Sequence, residues 1–189
     1  MRIIAGEFRG RKLLPPEGDV TRPITDRVKQ SLFDILTPLV DGARVYDCFA
    51  GTGSMGLECL SRGAAHATFF ESDRSALERL KKNVTTLGVA DRSTILAGDL
   101  FRWFEGARPD FKADLVFLDP PYRFVTGRPA DVRRLAGRLA ESHLSPDGIV
   151  VFRHDAGDAL ELPPLVCSDR REYGGMALEF LRLVEAKPA

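Results

Sequence analysis

The segment DLVFLDPPYRF, residues 114–124, follows an apolar run with an acid, two prolines and an aromatic ring. Asp119 offers carboxylate acceptors, and Pro120 offers a carbonyl whose direction is fixed by the ring of Pro121. These two acceptors can bind both N–H bonds of a flat amino group, while Tyr122 can stack on the ring that carries it. The alternative is an ordinary loop at the end of a strand, because proline stops strands readily.

An exocyclic amine of a nucleobase is a poor nucleophile, because its lone pair is delocalised into the ring. To attack a methyl group the amine must become pyramidal, and acceptors set in place beforehand stabilise the charge that develops on its nitrogen. Such a reaction requires neither a metal nor a covalent intermediate. The sequence therefore predicts a set of catalytic residues at this point, namely Asp119, Pro120, Pro121 and Tyr122.

A second group of residues, VYDCFAGTGSMG, has Gly51, Gly53 and Gly56 in GxGxxG spacing between a predicted strand and a predicted helix. Glycines there let backbone amides approach a ligand closely, and the helix N-terminus adds partial positive charge. Glu71 ends the next predicted strand, 20 residues after Gly51, where an acid can accept the hydroxyls of a ribose. This context favours a nucleoside cofactor over a plain tight turn beside a surface acid.

The acids around the glycine loop indicate which nucleoside cofactor fits. Asp47 comes four residues before Gly51, and its charge would repel the pyrophosphate of a dinucleotide. The same charge suits S-adenosylmethionine, which carries a sulfonium and an amino group. Asp99, at the end of the third predicted strand, can accept a hydrogen bond from an adenine amino group. We therefore expect S-adenosylmethionine rather than NAD.

The elements that position these residues follow from the alternation of short apolar runs and helical stretches after about residue 42. This alternation predicts an α/β fold with a mostly parallel sheet covered on both faces, ending in an antiparallel hairpin that reverses at Gly174 and Gly175. The five parallel strands are predicted in ARVYDCFA, HATFFES, STILAGD, ADLVFLD and GIVVFRH, and the helices in SMGLECLSRGA, DRSALERLKKNVTTLG and DVRRLAGRLAESH.

Upstream, TDRVKQSLFDIL is typical of a capped helix with Thr25 or Asp26 as the N-cap. Its apolar face is predicted to consist of Val28, Leu32, Ile35 and Leu36. Before it, RIIAGEFRGRKLL predicts one or two short strands. We expect residues 1–20 to be a basic β-hairpin arm on a single domain, residues 21–189.

Composition restricts the class of protein. The chain has 189 residues, 44% apolar residues and no apolar run long enough for a membrane span. Three unpaired cysteines without CxxC spacing and three scattered histidines predict neither disulfides nor a metal site, which fits a cytoplasmic protein. A net charge of zero argues against binding a polyanion by bulk charge. Basic residues nevertheless cluster in residues 1–12 and 122–138.

The whole chain resembles the RsmD family of bacterial ribosomal RNA methyltransferases. The matching stretches lie in the family's order from Arg2 to about Leu181, and they are RIIAGEFRGRKL, TRPITDRVKQSLFDIL, YDCFAGTGSMGLECLSRGA, FFESDRSALERLKKN, DLVFLDPPY and YGGMALEFL. The resemblance implies a Rossmann-like methyltransferase fold with a seven-stranded sheet. It also implies methylation of guanine N2 in 16S rRNA on the small ribosomal subunit or its precursor, by a cytoplasmic enzyme that we expect to be a monomer.

The family pattern also implies residue roles. The cofactor-binding residues would be Asp47, Phe49, Gly51, Thr52, Gly53, Glu71, Ser72, Asp99, Leu100 and Arg27. The RNA-binding residues would be Arg2, Arg9, Arg11, Lys12, Arg22 and Arg123. The chain departs from the family pattern at Cys48, where a leucine is common, and in RFVTGRPAD, residues 123–131, which is predicted to be an inserted loop that shapes the base pocket.

Three other functions fit parts of the sequence. DPPY also suits a DNA adenine-N6 methyltransferase, although the chain has no separate target-recognition domain. GxGxxG also suits an NAD-dependent oxidoreductase, but a catalytic Tyr/Lys pair or His is not evident. A non-catalytic RNA-binding assembly factor would not need the intact Asp119 or the glycine loop.

Overall fold

The computed structural model describes residues 1–17, 24–106 and 111–184. The helices are α1 (Asp26–Val40), α2 (Ser54–Ser61), α3 (Arg74–Leu87), α4 (Leu100–Gly106), α5 (Tyr122–Gly127) and α6 (Pro129–Arg138). The strands are β1 (Arg44–Cys48), β2 (His66–Glu71), β3 (Ser93–Ala97), β4 (Ala113–Leu118), β5 (Leu144–Asp155), β6 (Leu165–Tyr173) and β7 (Met176–Leu183). None of the described helices is long and apolar enough to cross a membrane.

The strands form one seven-stranded sheet in the order β3-β2-β1-β4-β5-β7-β6. β1 pairs in parallel with β2, and β2 with β3, whereas β7 lies antiparallel between β5 and β6. The predicted α/β class and the closing hairpin are therefore confirmed. Gly174 and Gly175 both have positive φ, 55° and 85°, and they form the two-residue turn between β6 and β7.

The chain divides into two compact units, one up to Leu100 and the other from Phe101 onward. In the first unit α1 is capped by Thr25, whose hydroxyl accepts the N–H of Val28 at 3.4 Å. The predicted apolar face of α1 is partly wrong, because Ile35 is 37% exposed. Phe33 is buried instead, together with Lys29, whose amine finds a buried partner in Glu58.

The N-terminal arm, of which residues 1–17 are described, forms a hairpin with one antiparallel bridge between Arg2 and Lys12. Its apolar residues Ile3, Phe8 and Leu13 are buried. The backbone of the arm forms hydrogen bonds within the hairpin, such as Ile3 N–H to the Arg11 carbonyl at 2.9 Å, and it is also held by side chains from elsewhere in the first unit.

Two helices carry most of these side chains. On α2, the carboxylate of Glu58 accepts the N–H groups of Ile4 and Ala5 at 2.8 and 3.0 Å, and Ser61 Oγ accepts that of Phe8. On α3, Asn83 Oδ1 accepts the N–H of Leu14 at 2.8 Å.

In the second unit β4 pairs in parallel with β5, with Leu118 opposite Phe152. The prediction of a loop at residues 123–131 is wrong, because Tyr122–Gly127 is helical and Pro129 starts α6. Pro129 suits that position because a first helical residue needs no N–H donor. The segment after DPPY is thus a pair of short helices.

Candidate functional site

The turn between β1 and α2 has a backbone that few residue types can adopt. Gly51 and Gly53 have φ of 57° and 85°, as predicted for a glycine loop, and Phe49 has φ of 63° although it carries a side chain. A phenylalanine in the left-handed region costs free energy, and such residues cluster at ligand sites. A Cβ at Gly53 would lie 2.4 Å from Leu80 Cδ1, so a larger residue there would also require that leucine to move.

Glu71, at the end of β2, is fixed by three backbone amides. Its Oε2 accepts the N–H of Gly51 at 2.6 Å, and its Oε1 accepts those of Ser72 and Asp73 at 2.8 Å each. These bonds link the carboxylate to the glycine loop and occupy both lone pairs of Oε1, whereas Oε2 keeps one for a further donor. Such an arrangement can receive a hydroxyl of a ribose.

A small pocket opens beside this carboxylate. Four of its six lining residues were predicted to bind the cofactor, and Phe70 and Gly98 were not. The pocket is lined by Phe49, Phe70, Glu71, Ser72, Gly98 and Leu100. The pocket has an empty volume of only about 160 Å³, and its apolar side chains and one acid are groups that the base and a sugar hydroxyl of a nucleoside can contact.

Other predicted cofactor residues occupy different surroundings. Asp47 is buried, and its Oδ2 accepts the N–H of Gly56 at 2.8 Å, so its charge lies beneath the start of α2. Asn83 Nδ2 donates to the carbonyl of Thr52 at 2.9 Å and thereby holds the loop. Asp99 and Arg27 are exposed.

The second motif follows β4 in the other unit. Arg153 on β5 pairs with Asp119, with Nε 2.9 Å from Oδ1, and their side chains are 12% and 27% exposed. Burial raises the pKa of Asp119, and the Arg153 cation opposes that rise. The carboxylate is thus an acceptor that keeps partial access to solvent.

The two prolines present their carbonyls differently. The Pro121 carbonyl accepts the N–H of Phe124 at 2.7 Å in the first turn of α5. Within the described part of the chain, no donor bonds the Pro120 carbonyl. Tyr122 begins α5 and is half-buried. Asp119 and Pro120 therefore offer the two acceptors that the sequence predicts.

Of the predicted RNA-binding residues on the arm, one forms an ion pair and the others are exposed without one in the described part of the chain. Arg2 pairs with Asp26 at 2.7 Å. Arg9, Arg11 and Lys12 are exposed, and across the described ranges none of them forms an ion pair. Arg22 lies outside the described residues.

Most arginines of the basic cluster at residues 122–138 form ion pairs with acidic side chains of the second unit. Asp131 pairs with both Arg128 and Arg134, at 2.7 and 2.6 Å, and Arg138 pairs with Glu141. Arg123 is exposed, with its guanidinium 5.6 Å from the centre of the Phe124 ring. The exposed cations of the arm are thus the stronger candidates for phosphate contacts.

Several residues of the site were not predicted. Arg153 directly follows Phe152 of β5, just as Asp119 directly follows Leu118, its partner on β4. Both predicted strands therefore have a charged residue directly after their apolar run, and this similarity was a signal for Arg153. Lys29 and Asn83 are buried polar residues on helices, and no pattern in the sequence distinguishes them from solvated polar residues.

The chain is similar to proteins of known sequence along nearly its whole length. A family described as Conserved hypothetical protein 95 matches residues 1–182. A Bacillus subtilis protein named as a candidate rRNA methyltransferase, YlbH, is 36% identical over 182 residues, which cover 92% of this chain and 94% of that protein. Ribosomal RNA small subunit methyltransferase D of Escherichia coli is 42% identical over 123 residues, which cover 65% of this chain and 61% of that protein.

Solved structures agree with this similarity. The structure of an Escherichia coli protein described as a candidate methyltransferase, yhhF, has a TM-score of 0.81 and 31% identity, and the match covers 98% of this chain and 99% of that one. An RNA methyltransferase from Salinibacter ruber, solved with S-adenosyl-L-homocysteine, shares the fold with a TM-score of 0.66 at 22% identity, covering 88% of this chain and 97% of that one.

The sheet order, the glycine loop and the DPPY motif together define a methyltransferase. The chain belongs to the family that matches residues 1–182, so the predicted membership of the RsmD family is confirmed.

Proposed function

We propose that the protein transfers a methyl group from S-adenosylmethionine to the exocyclic N2 amine of a guanine in 16S rRNA, on the small ribosomal subunit or its precursor. The observation that carries this proposal is the pair of acceptors after β4, the Asp119 carboxylate and the Pro120 carbonyl. The names of the relatives support ribosomal RNA as the substrate. The pocket beside Glu71 supports a nucleoside donor.

The protein's own groups would act on the amine. Asp119 and Pro120 each accept one N–H bond, which turns the nitrogen lone pair out of conjugation toward the methyl group. When bound, S-adenosylmethionine supplies an activated methyl group: the S–CH₃ electron pair remains on sulfur as the N–CH₃ bond forms. The surplus proton leaves through the hydrogen bond to Asp119, which keeps contact with solvent.

The first experiment supplies methyl-labelled S-adenosylmethionine with unmethylated small subunits, free 16S rRNA and duplex DNA in parallel. Digestion of each product then identifies the labelled nucleoside. We expect N2-methylguanosine from the subunits. Labelled N6-methyladenine from DNA would overturn the substrate assignment, and the absence of label in all three would overturn the activity.

Tyr122 is expected to contribute by stacking on the target base. Tyr122→Phe should therefore keep near wild-type turnover, whereas Tyr122→Ala should lose about 1–3 kcal/mol of stacking free energy, a fall of roughly 5- to 150-fold in kcat/KM. Steady-state kinetics on the accepted RNA substrate measure both variants. An inactive phenylalanine variant would show that the hydroxyl, and not the ring, is required.

The exposed cations of the arm are expected to bind RNA phosphates. Changing Arg9, Arg11 and Lys12 to glutamine should raise the RNA KM and lower the slope of log affinity against log salt by about 2, given roughly 0.7 per contact on single strands. A matched triple variant on α3, Arg74, Lys81 and Lys82 to glutamine, removes the same charge from another exposed surface. Equal slopes for the two variants would exclude the arm from the RNA site.

A further inference from the structure

The pairing of β4 with β5 places a cation beside the candidate catalytic acid. Leu118 and Phe152 lie opposite each other in this parallel pair, and both are fully buried. Asp119 and Arg153 directly follow Leu118 and Phe152 along the chain. Their side chains therefore point to the opposite face of the sheet. The contact between them therefore follows from the register of the sheet.

The short distance between these two side chains favours an ionised carboxylate. Arg153 Nε lies 2.9 Å from Asp119 Oδ1, and the arginine side chain is only 12% exposed. Arginine keeps its charge at every accessible pH, and a nearby opposite charge favours the ionised form of a carboxyl group. A partly buried pair of this kind is also screened less by salt than a pair on the surface.

The other polar groups around Asp119 face different partners. Along the chain, Arg123 has its guanidinium over the Phe124 ring at 5.6 Å. On β5, His154 stacks on Phe152, and its Nε2 lies 3.4 Å from Glu179 of β7. Arg153 is thus the cation that bears directly on Asp119.

We propose that Arg153 is a positioning residue that keeps Asp119 ionised, so that its oxygens only accept hydrogen bonds. This inference rests on the proposed methylation of guanine. An ionised carboxylate matches the adjacent N1–H and N2–H donors on the Watson–Crick edge of guanine.

The test compares Arg153→Met, which removes the charge, with Arg153→Lys, which keeps it. We expect the acidic limb of the profile of kcat/KM against pH to move up by about one unit in Arg153→Met, a tenfold loss on that limb that recovers at alkaline pH. Arg153→Lys should restore most of the wild-type profile. Arg171→Met, on the exposed strand β6, is the matched control, because its partner Asp169 is also an aspartate.

A second measurement needs neither cofactor nor RNA. Carbon-13 labelling of the aspartates lets the Asp119 carboxyl be assigned by its loss in Asp119→Asn and titrated by NMR. Its midpoint should rise in Arg153→Met and stay near that of the wild type in Arg153→Lys. An unchanged midpoint, or an activity loss that is equal at every pH and not rescued by lysine, would overturn the proposal. Failure of the proposed function is seen separately, as a wild-type protein that forms no N2-methylguanosine.

Discussion

Asp119→Ala is expected to abolish methyl transfer while S-adenosylmethionine still binds. The change removes one of the two acceptors that stabilise the charge developing on the amine, and the loss of a single such group costs about 10²- to 10³-fold in turnover. It also leaves Arg153, 12% exposed, without its carboxylate partner next to the target base. A cation there opposes the positive charge that develops on nitrogen, so we expect the loss to reach the upper end of that range.

Single-turnover methylation and calorimetric titration of the cofactor measure the two parts of this prediction. The proposed cofactor residues all lie outside the DPPY segment, so the cofactor Kd should stay within about twofold, well below the tenfold that 1.4 kcal/mol represents. Asp147→Ala, at an exposed position in the same unit, controls for the loss of an acid. Wild-type turnover of Asp119→Ala would remove this residue from the catalytic set.

Glu58→Ala is expected to destabilise the fold by about 3–5 kcal/mol, the usual cost of leaving a buried charge unpaired. Glu58 is fully buried and pairs with Lys29 and Arg62, each at 2.9 Å, while its oxygens also accept two amides of the arm. Its removal leaves the Lys29 amine, 2% exposed, without its carboxylate. Denaturant unfolding measures the loss, which corresponds to a Tm lower by about 10 °C.

The surface pair of Arg74 and Glu78 is the matched control, since both side chains are largely exposed, and Glu78→Ala should cost less than about 0.5 kcal/mol. The double variant Lys29→Met, Glu58→Gln should be more stable than Glu58→Ala, because the fully buried Lys29 cation is no longer left without a counter-charge. If the two variants had equal stability, the pairing of Lys29 with Glu58 would not be the source of the effect.

The same pair gives the stability a pH dependence of known sign. Burial acts to raise the pKa of Glu58, but the Lys29 cation, the Ile4 amide and Arg62 hold it below its usual value. A group with a depressed pKa stabilises the fold above its unfolded pKa, and that contribution is lost as the pH falls through the folded pKa. Wild-type protein should therefore lose more stability on acidification than Glu58→Ala does.

The sequence was sufficient for those parts of the fold that follow from local chemistry. Alternating apolar runs located the strands, and the paired glycines at 174 and 175 located the final hairpin, because a two-residue turn of this type needs positive φ. The glycine loop and the DPPY motif could be placed for the same reason. Each consists of neighbouring residues whose geometry is set by their own backbone.

The parts that could not be predicted depend on contacts between distant segments. Lys29 interrupts an apolar helix face, and from the sequence alone it is expected to be solvated. It is buried because it pairs with Glu58, 29 positions later in the chain. Ile35 reads as a core residue from its spacing, yet Phe33 takes the buried position. Residues 123–131 are predicted to be a loop, yet most of them are helical, and Pro129 is compatible with the start of a helix.

The attachment of the arm has a consequence for the order of events on the ribosome. The amides of Ile4, Phe8 and Leu14 are bonded by side chains that lie 54, 53 and 69 positions further along the chain. Synthesis proceeds from the N-terminus, so the arm emerges long before Glu58, Ser61 and Asn83 exist. Its apolar side chains therefore remain exposed to solvent until α2 and α3 have been synthesised. The arm is therefore synthesised before the side chains that hold it, and it reaches its native position only after them.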